Sequence, residues 1–180
     1  MQETVVGMNK KIAKWFYAVL AFGICVVVGV MAVSSTQKVA IDNEKAVSFN
    51  EGWHYSVNDG GVNENQITLP YRIDARKADK IYLYNTLPSE YPDGMTICFR
   101  SSNQYVRVLA DNQEVYSFGY DDIRPFGKSP GSVWNIIRLK EDTAGRDIVI
   151  ELCSPYETRS GIAASVYYGS KSANVFRIFS

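Results

Sequence analysis

Hydrophobic side chains recur at every second position along much of the chain after residue 46. Val106, Val108 and Ala110 form the clearest such row, each separated from the next by a single residue. This period of two predicts a strand that buries one face against a core. A short turn at 111–112 follows, and a second run returns through 114–118, so we predict a β-hairpin here.

Ten strand-like runs rich in Val, Ile, Tyr, Phe and Thr follow one another along this part of the chain. They are AVSFN, WHYSV, QITLPYRI, KIYLYNTL, MTICFRSS, YVRVLA, QEVYSF, SVWNIIRL, DIVIELC and ASVYYG. Turn sequences rich in Asn, Asp, Gly and Pro separate many of them. No segment repeats the 3.6-residue period of a helix over three turns. The pattern therefore predicts an all-β domain built as a β-sandwich.

A long apolar run near the N-terminus predicts a membrane anchor. Trp15–Val33 contains no charged residue, and a helix of that length matches the ~30 Å hydrocarbon core of a bilayer. Lys10, Lys11 and Lys14 precede it, which predicts a cytoplasmic N-terminus. A cleaved signal peptide is the alternative, but the apolar regions of signal peptides are usually shorter.

These features divide the chain into four parts. We predict a cytoplasmic N-terminus over 1–11, a transmembrane anchor over 12–33, a polar stalk over 34–45 and an extracytoplasmic β-sandwich over 46–180. The protein is therefore expected in the cell membrane, with its β domain outside. Its expected partners are the lipid bilayer, through 12–33, and a small ligand.

The amino-acid composition argues against nucleic-acid binding and against a metal site. The 180 residues are 46% hydrophobic and 13% aromatic, and 19 basic side chains balance 19 acidic ones. A balanced charge without a basic block argues against nucleic-acid binding, which needs clustered Lys and Arg. The single His and three Cys leave few ligands for a metal site. Cys25 lies in the apolar run, and Cys98 and Cys153 lie in strand runs, where we favour free thiols over a disulfide.

Several short motifs contain residue types that can bind metals or phosphate. His54 has no second histidine near it, so we expect a hydrogen-bonded or exposed side chain rather than a metal ligand. Acidic stretches at 58–64 and 121–122 match no EF-hand loop, so we favour solvated loop acids over a calcium site. The segment 127–129 reads Gly-Lys-Ser but lacks the first glycine of a phosphate-binding loop. We predict no catalytic site, no metal and no cofactor.

Aromatic and arginine side chains are the remaining candidates for recognition. If the valines of the hairpin point inward, their neighbours project from the opposite face, and a ring beside an Arg fork suits a sugar, a carboxylate or a peptide. The predicted ligand-binding residues are Arg100, Tyr105, Arg107, Tyr120 and Trp134, with Arg138 projecting in the same way. We expect Arg100, Arg107 and Trp134 to share one surface. In the alternative interpretation these aromatics fill the core and the arginines lie at its edge.

A particular order of motifs follows residue 46, namely Trp53, Leu69-Pro70, Leu87-Pro88, the hairpin YVRVLADNQEVYSFG, the loop FGKSPGSVWN and the strand IVIELCSPYE. This order resembles the extracytoplasmic sensor regions of bacterial membrane signalling proteins, such as GGDEF diguanylate cyclases and sensor kinases. The chain is also similar, more loosely, to galactose-binding-like jelly rolls, including the sugar-binding domains of glycoside hydrolases. The resemblance implies a jelly-roll sandwich that senses a ligand.

Three functions follow from different classes. We predict a sensory, ligand-binding domain of a membrane-bound signalling protein whose output domain would lie beyond residue 180. A membrane-anchored carbohydrate-binding surface module is the alternative, and the ligand would be a sugar or a peptide. A hydrolase is disfavoured because no nucleophile motif is present. Homodimerisation is left open.

Overall fold

The protein is described from a computed structural model whose chain divides into two compact units, Met1–Ile41 and Asp42–Ser180. The described residues are 14, 15, 17–28, 45–58, 60–63, 65–91, 94–120 and 130–179. In the N-terminal unit, 14, 15 and 17–28 are helical. Much of the predicted anchor and stalk, and all of 1–11, fall outside the described residues.

Within the described part of the chain, no helix has both the length and the apolar character needed to cross a bilayer. The predicted anchor extends over 12–33, of which 12, 13, 16 and 29–33 are outside that part. The transmembrane anchor therefore stays a prediction from sequence.

The second unit contains eleven strands among its described residues. They are β1 (Val47–Ser48), β2 (His54–Val57), β3 (Tyr71–Arg72), β4 (Lys80–Thr86), β5 (Met95–Ser102), β6 (Tyr105–Ala110), β7 (Gln113–Phe118), β8 (Ser132–Arg138), β9 (Asp147–Cys153), β10 (Ile162–Ala163) and β11 (Val166–Ser170). A helix, Lys171–Phe179, follows the last strand. Short 3-10 turns lie at Glu141–Thr143 and Glu157–Arg159.

The strands pair antiparallel in two main sheets. One sheet has the order β1-β11-β5-β8, the other has the order β2-β4-β9-β6-β7, and β10 pairs with β3 alone. Residues from both main sheets belong to one hydrophobic cluster, including Ile97, Phe99 and Ile137 from the first sheet and Ile81, Val108 and Ile150 from the second. The two sheets thus share one core, as in a β-sandwich, and the prediction of a sheet domain is confirmed.

Period-two alternation explains how each strand meets that core. Val106, Val108 and Ala110 are fully buried, whereas the residues between them are half-exposed. The predicted hairpin joins β6 to β7 through Asp111 and Asn112, which both have positive φ angles. Two positive φ angles in a two-residue loop match the right-handed twist of the flanking strands.

The helix Lys171–Phe179 is an element that the prediction of an all-β domain did not include. Its nine residues make about two and a half turns, too few for the period to stand out from sequence. The sequence signal for the start of this helix is Ser170, since serine is a preferred N-cap residue. In the structure its hydroxyl accepts a hydrogen bond from the Ala173 amide at 3.2 Å.

The helix covers the outer face of β5. Asn174 is fully buried, and its amide Nδ2 donates to Thr96 Oγ1 at 2.9 Å and to the Thr96 carbonyl at 3.2 Å. Cys98, two residues further along the same face, is also fully buried. Burial raises the pKa of the Cys98 thiol to about 11, so the thiol stays protonated at neutral pH.

Replacing Asn174 by Ala should loosen the helix and expose Cys98. The buried hydrogen bonds to Thr96 are lost, which we expect to cost about 1–3 kcal/mol of docking free energy. The measurement is the rate of N-ethylmaleimide labelling of Cys98 in a Cys25→Ser background, followed by mass spectrometry. Labelling at Cys98 should accelerate while labelling at Cys153, on the other sheet, stays unchanged. An equal acceleration at both thiols would indicate global unfolding instead.

Candidate functional site

The structure places the predicted ligand-binding residues on two sheets. Arg107 lies in β6 of the five-stranded sheet, on the face opposite the buried Val106 and Val108. Arg100 and Trp134 are cross-strand partners in β5 and β8 of the four-stranded sheet. Each group faces away from the shared core, so the two groups lie on opposite sides of the sandwich. The expectation of one surface shared by all three residues is therefore wrong.

On the five-stranded sheet, the cluster is centred on a buried carboxylate, Glu151 of β9. Only 3% of Glu151 is exposed. The Tyr120 hydroxyl donates to Glu151 Oε1 at 2.7 Å, Lys80 Nζ lies 3.3 Å from the same oxygen, and Arg107 Nη1 lies 3.5 Å from Oε2. A buried charge is stable only with such partners, and Glu151 has three.

The remaining predicted residues complete this cluster. The Arg107 guanidinium lies 4.7 Å from the centre of the Tyr120 ring, and the Tyr105 and Tyr120 rings lie 5.4 Å apart. Arg107 Nε is 2.9 Å from Glu114 Oε2, an ion pair whose angle falls short of a hydrogen bond. Burial is the main cause that raises the pKa of Tyr120, so its hydroxyl stays a donor.

The charges in this cluster are already balanced. Two cations, Lys80 and Arg107, meet two carboxylates, Glu114 and Glu151. A ligand that binds here would have to displace the cations that neutralise the Glu151 carboxylate. Its binding free energy would have to compensate for breaking a buried ion pair. The geometry therefore favours a stabilising role for Tyr105, Arg107 and Tyr120, although their predicted role in binding stays untested.

The four-stranded sheet carries an open groove of about 740 Å³. Trp134, Ile136 and Arg138 line it from alternate positions of β8, and Lys171 and Tyr116 line it from the helix start and from β7. Trp134 is 39% exposed, which leaves much of its ring available to a ligand. Unlike the Glu151 cluster, this groove presents an aromatic ring and cations to solvent.

A hydrogen-bonded support fixes the walls of the groove. The Tyr116 hydroxyl donates to Oδ1 of the buried Asn135 at 3.0 Å, and Asn135 Nδ2 donates to Ser101 Oγ at 3.1 Å and to the Phe99 carbonyl at 3.2 Å. Burial raises the pKa of Tyr116, so this hydroxyl remains a donor over the physiological range. Asn135 thus joins the two sheets beside the groove.

Arg100 is exposed opposite Trp134 on the same outer face, but it does not line the groove. Sequence reasoning missed Lys171 and Tyr116 as groove residues. The sequence does indicate that one face of β8 carries Trp134, Ile136 and Arg138, because these residues occupy alternate positions of a predicted strand. Lys171 had no such signal, because its position depends on a helix that the sequence did not reveal.

Among the residues that the structure describes, the other candidate motifs form no second site. His54 Nδ1 donates to the Asn63 carbonyl at 3.1 Å, which confirms the predicted hydrogen-bonded histidine. Cys98 and Cys153 are free thiols on different sheets. Among the described residues, no group of three or more His, Cys, Asp or Glu side chains could hold a metal ion. The stretches 121–122 and 127–129, and part of 58–64, lie outside those residues.

Comparison with known proteins adds no assignment to the groove. No protein-family model matches the chain, and no curated protein matches it. The candidate site is therefore argued from its geometry.

Glu151→Gln should destabilise the domain by about 1–3 kcal/mol, because Lys80 and Arg107 lose the charge that they share. Glu114→Gln removes the same charge from a side chain that is 47% exposed, and we expect less than about 1 kcal/mol there. Urea unfolding followed by circular dichroism measures both. Equal effects of the two substitutions would contradict a central role for Glu151.

Proposed function

We propose that the chain is the extracytoplasmic ligand-binding region of a membrane-bound signalling protein, with its ligand in the groove beside β8. The observation that carries this proposal is the row formed by Trp134, Ile136 and Arg138, which presents a ring, an apolar side chain and a cation on one open face. Lys171 adds a second cation. A ligand site needs this combination of apolar contact and a few placed polar groups.

The volume and support of the groove fit a small molecule. Its size of about 740 Å³ lies within the usual range of small-ligand sites. Tyr116 and Trp134 lie on strands of the two different main sheets rather than on a long loop, and Asn135 beneath them donates two hydrogen bonds. Side chains fixed in this way lose less conformational entropy when a ligand binds.

The membrane setting of the proposal comes from the sequence. The uncharged run Trp15–Val33, preceded by Lys10, Lys11 and Lys14, is typical of an anchor with its N-terminus in the cytoplasm. The motif order resembles extracytoplasmic sensor regions with a jelly-roll fold. Two sheets around one core are compatible with that fold.

A carbohydrate-binding surface module is the second candidate. The exposed indole of Trp134 favours it, because sugar rings stack their apolar faces on aromatic planes. The cations of the groove are less easily explained by a neutral sugar. The two candidates are separated by whether neutral sugars or charged small molecules stabilise the chain.

Protease accessibility tests the predicted orientation of the chain in the membrane. Protease added to intact spheroplasts should digest the β domain, because the Lys residues before the apolar run hold the N-terminus inside. A tag placed before Met1 should survive until the membrane is permeabilised. Digestion of the tag with protection of the β domain would invert the topology and refute the extracytoplasmic assignment.

Thermal-shift screening tests ligand binding. Sugars, amino acids and short peptides are screened against the full chain, and any stabilisation should be lost in Trp134→Ala. Because Trp134 is partly exposed on an outer face, we expect this substitution to cost only about 1–2 kcal/mol of stability. Tyr156→Ala is the matched control, since Tyr156 is equally exposed at 39% and does not line the groove. Ligand shifts that persist in Trp134→Ala would place the binding site elsewhere.

A further inference from the structure

We propose that the helix Lys171–Phe179 is a releasable wall of the groove, and that a molecule bound in the groove holds this helix docked on the four-stranded sheet. The inference rests on the proposed function and describes how occupancy of the same groove changes the conformation of the chain. Two observations carry it: the helix lies directly beside the groove, and it is attached to the sheet by few buried contacts.

The helix and the groove lie side by side on one outer face of the sandwich. Strand register places Ile136 of β8, Cys98 of β5 and Tyr167 of β11 in one cross-strand row. Ile136 lines the groove, whereas Cys98 is fully buried, and the Arg177 guanidinium lies 3.2 Å from the centre of the Tyr167 ring. Neighbouring strands are about 4.8 Å apart, so a single strand spacing separates the groove from the residues beneath the helix.

Two residues belong both to the groove and to the attachment of the helix. Lys171 is the first residue of the helix and lines the groove. Thr96 also lines the groove, and its Oγ1 accepts a hydrogen bond from Asn174 Nδ2 at 2.9 Å. Release of the helix would remove Lys171 from the groove and break this hydrogen bond. A molecule that contacts this wall therefore binds the docked chain more tightly, and by linkage it stabilises docking.

The attachment of the helix includes an unfavourable term. Of its nine residues, only Ala173 and Asn174 are buried. Asn174 Nδ2 donates to Thr96, but Asn174 Oδ1 is buried and accepts no hydrogen bond among the described residues. Docking thus removes a carbonyl from water without compensation, which lowers the free energy needed for release. A helix of this length is not stable alone in water, so release would also unfold it.

The test fills the groove covalently, so it does not depend on the identity of the natural ligand. Ile136→Cys, in a Cys25→Ser and Cys153→Ser background, is treated with benzyl methanethiosulfonate, which attaches a benzyl group in the groove. Cys98 is fully buried and should stay unmodified, which mass spectrometry verifies. Hydrogen–deuterium exchange of the full chain in a neutral detergent then reports how often the helix is released.

The benzyl adduct should slow amide exchange over 174–179 compared with a methyl adduct at the same cysteine. We expect about a threefold change if the ring covers roughly 30 Å² of the apolar stem of Lys171. Amide exchange in β9, on the other sheet, should stay the same, which separates docking from global stability. Arg100→Cys with the same benzyl adduct is the matched control. Arg100 is exposed on the same outer face but does not line the groove, so this adduct should leave the helix unchanged.

Several results would overturn the inference. Equal exchange with the benzyl and methyl adducts would refute the coupling, and faster exchange with the benzyl adduct would show that the filler displaces the helix. An equal effect from Arg100→Cys would reduce the result to surface modification. A ligand whose thermal shift depends on Trp134, combined with unchanged helix exchange in the filled chain, would keep the proposed function and reject this inference. Slower helix exchange combined with a negative thermal-shift screen would support the releasable wall and reject the proposed ligand site.

Discussion

The hydrogen bonds of Asn135 fix the edge of the sandwich on which the candidate site depends. This side chain is fully buried, accepts from the Tyr116 hydroxyl of one sheet and donates to Ser101 and Phe99 of the other. A buried amide is stable only when it is paired, so the arrangement specifies the register of β8. With Asn135 pointing inward, the residues on either side of it must point outward. Trp134 and Ile136 therefore face the groove as a consequence of one core polar residue.

The two outer faces of the sandwich use similar residues in different ways. Around Glu151, an arginine, a lysine and a tyrosine surround a carboxylate, and each charge has a partner. In the groove, an arginine and a lysine lie near an aromatic ring with no carboxylate among the described lining residues. The first arrangement stabilises a buried charge, whereas the second lines an open depression on the outer face of the sandwich. Residue type alone does not separate these roles.

The limits of sequence analysis follow from this difference. Alternation identified the strands and the buried side of the hairpin, because that signal is local. The pairing of Arg107 with Glu151 joins residues far apart in the chain, and nothing local in DIVIELC indicates that its glutamate is buried. The separation of Arg100 from Arg107 likewise depends on which sheet each strand joins, which is a long-range outcome. Candidate residues could be named from sequence, but their grouping could not.

The C-terminal helix shows how a missed element changes the chemistry of a site. The Asn174 amide binds Thr96 on the outer face of β5, and the Arg177 guanidinium lies over the Tyr167 ring of β11. These contacts hold the first residue of the helix, Lys171, at the sheet end where Arg138 lies. Without them, Lys171 would not line the groove beside Trp134 and Arg138 of β8. The docked helix thus adds to the groove a side chain that the strands alone could not provide.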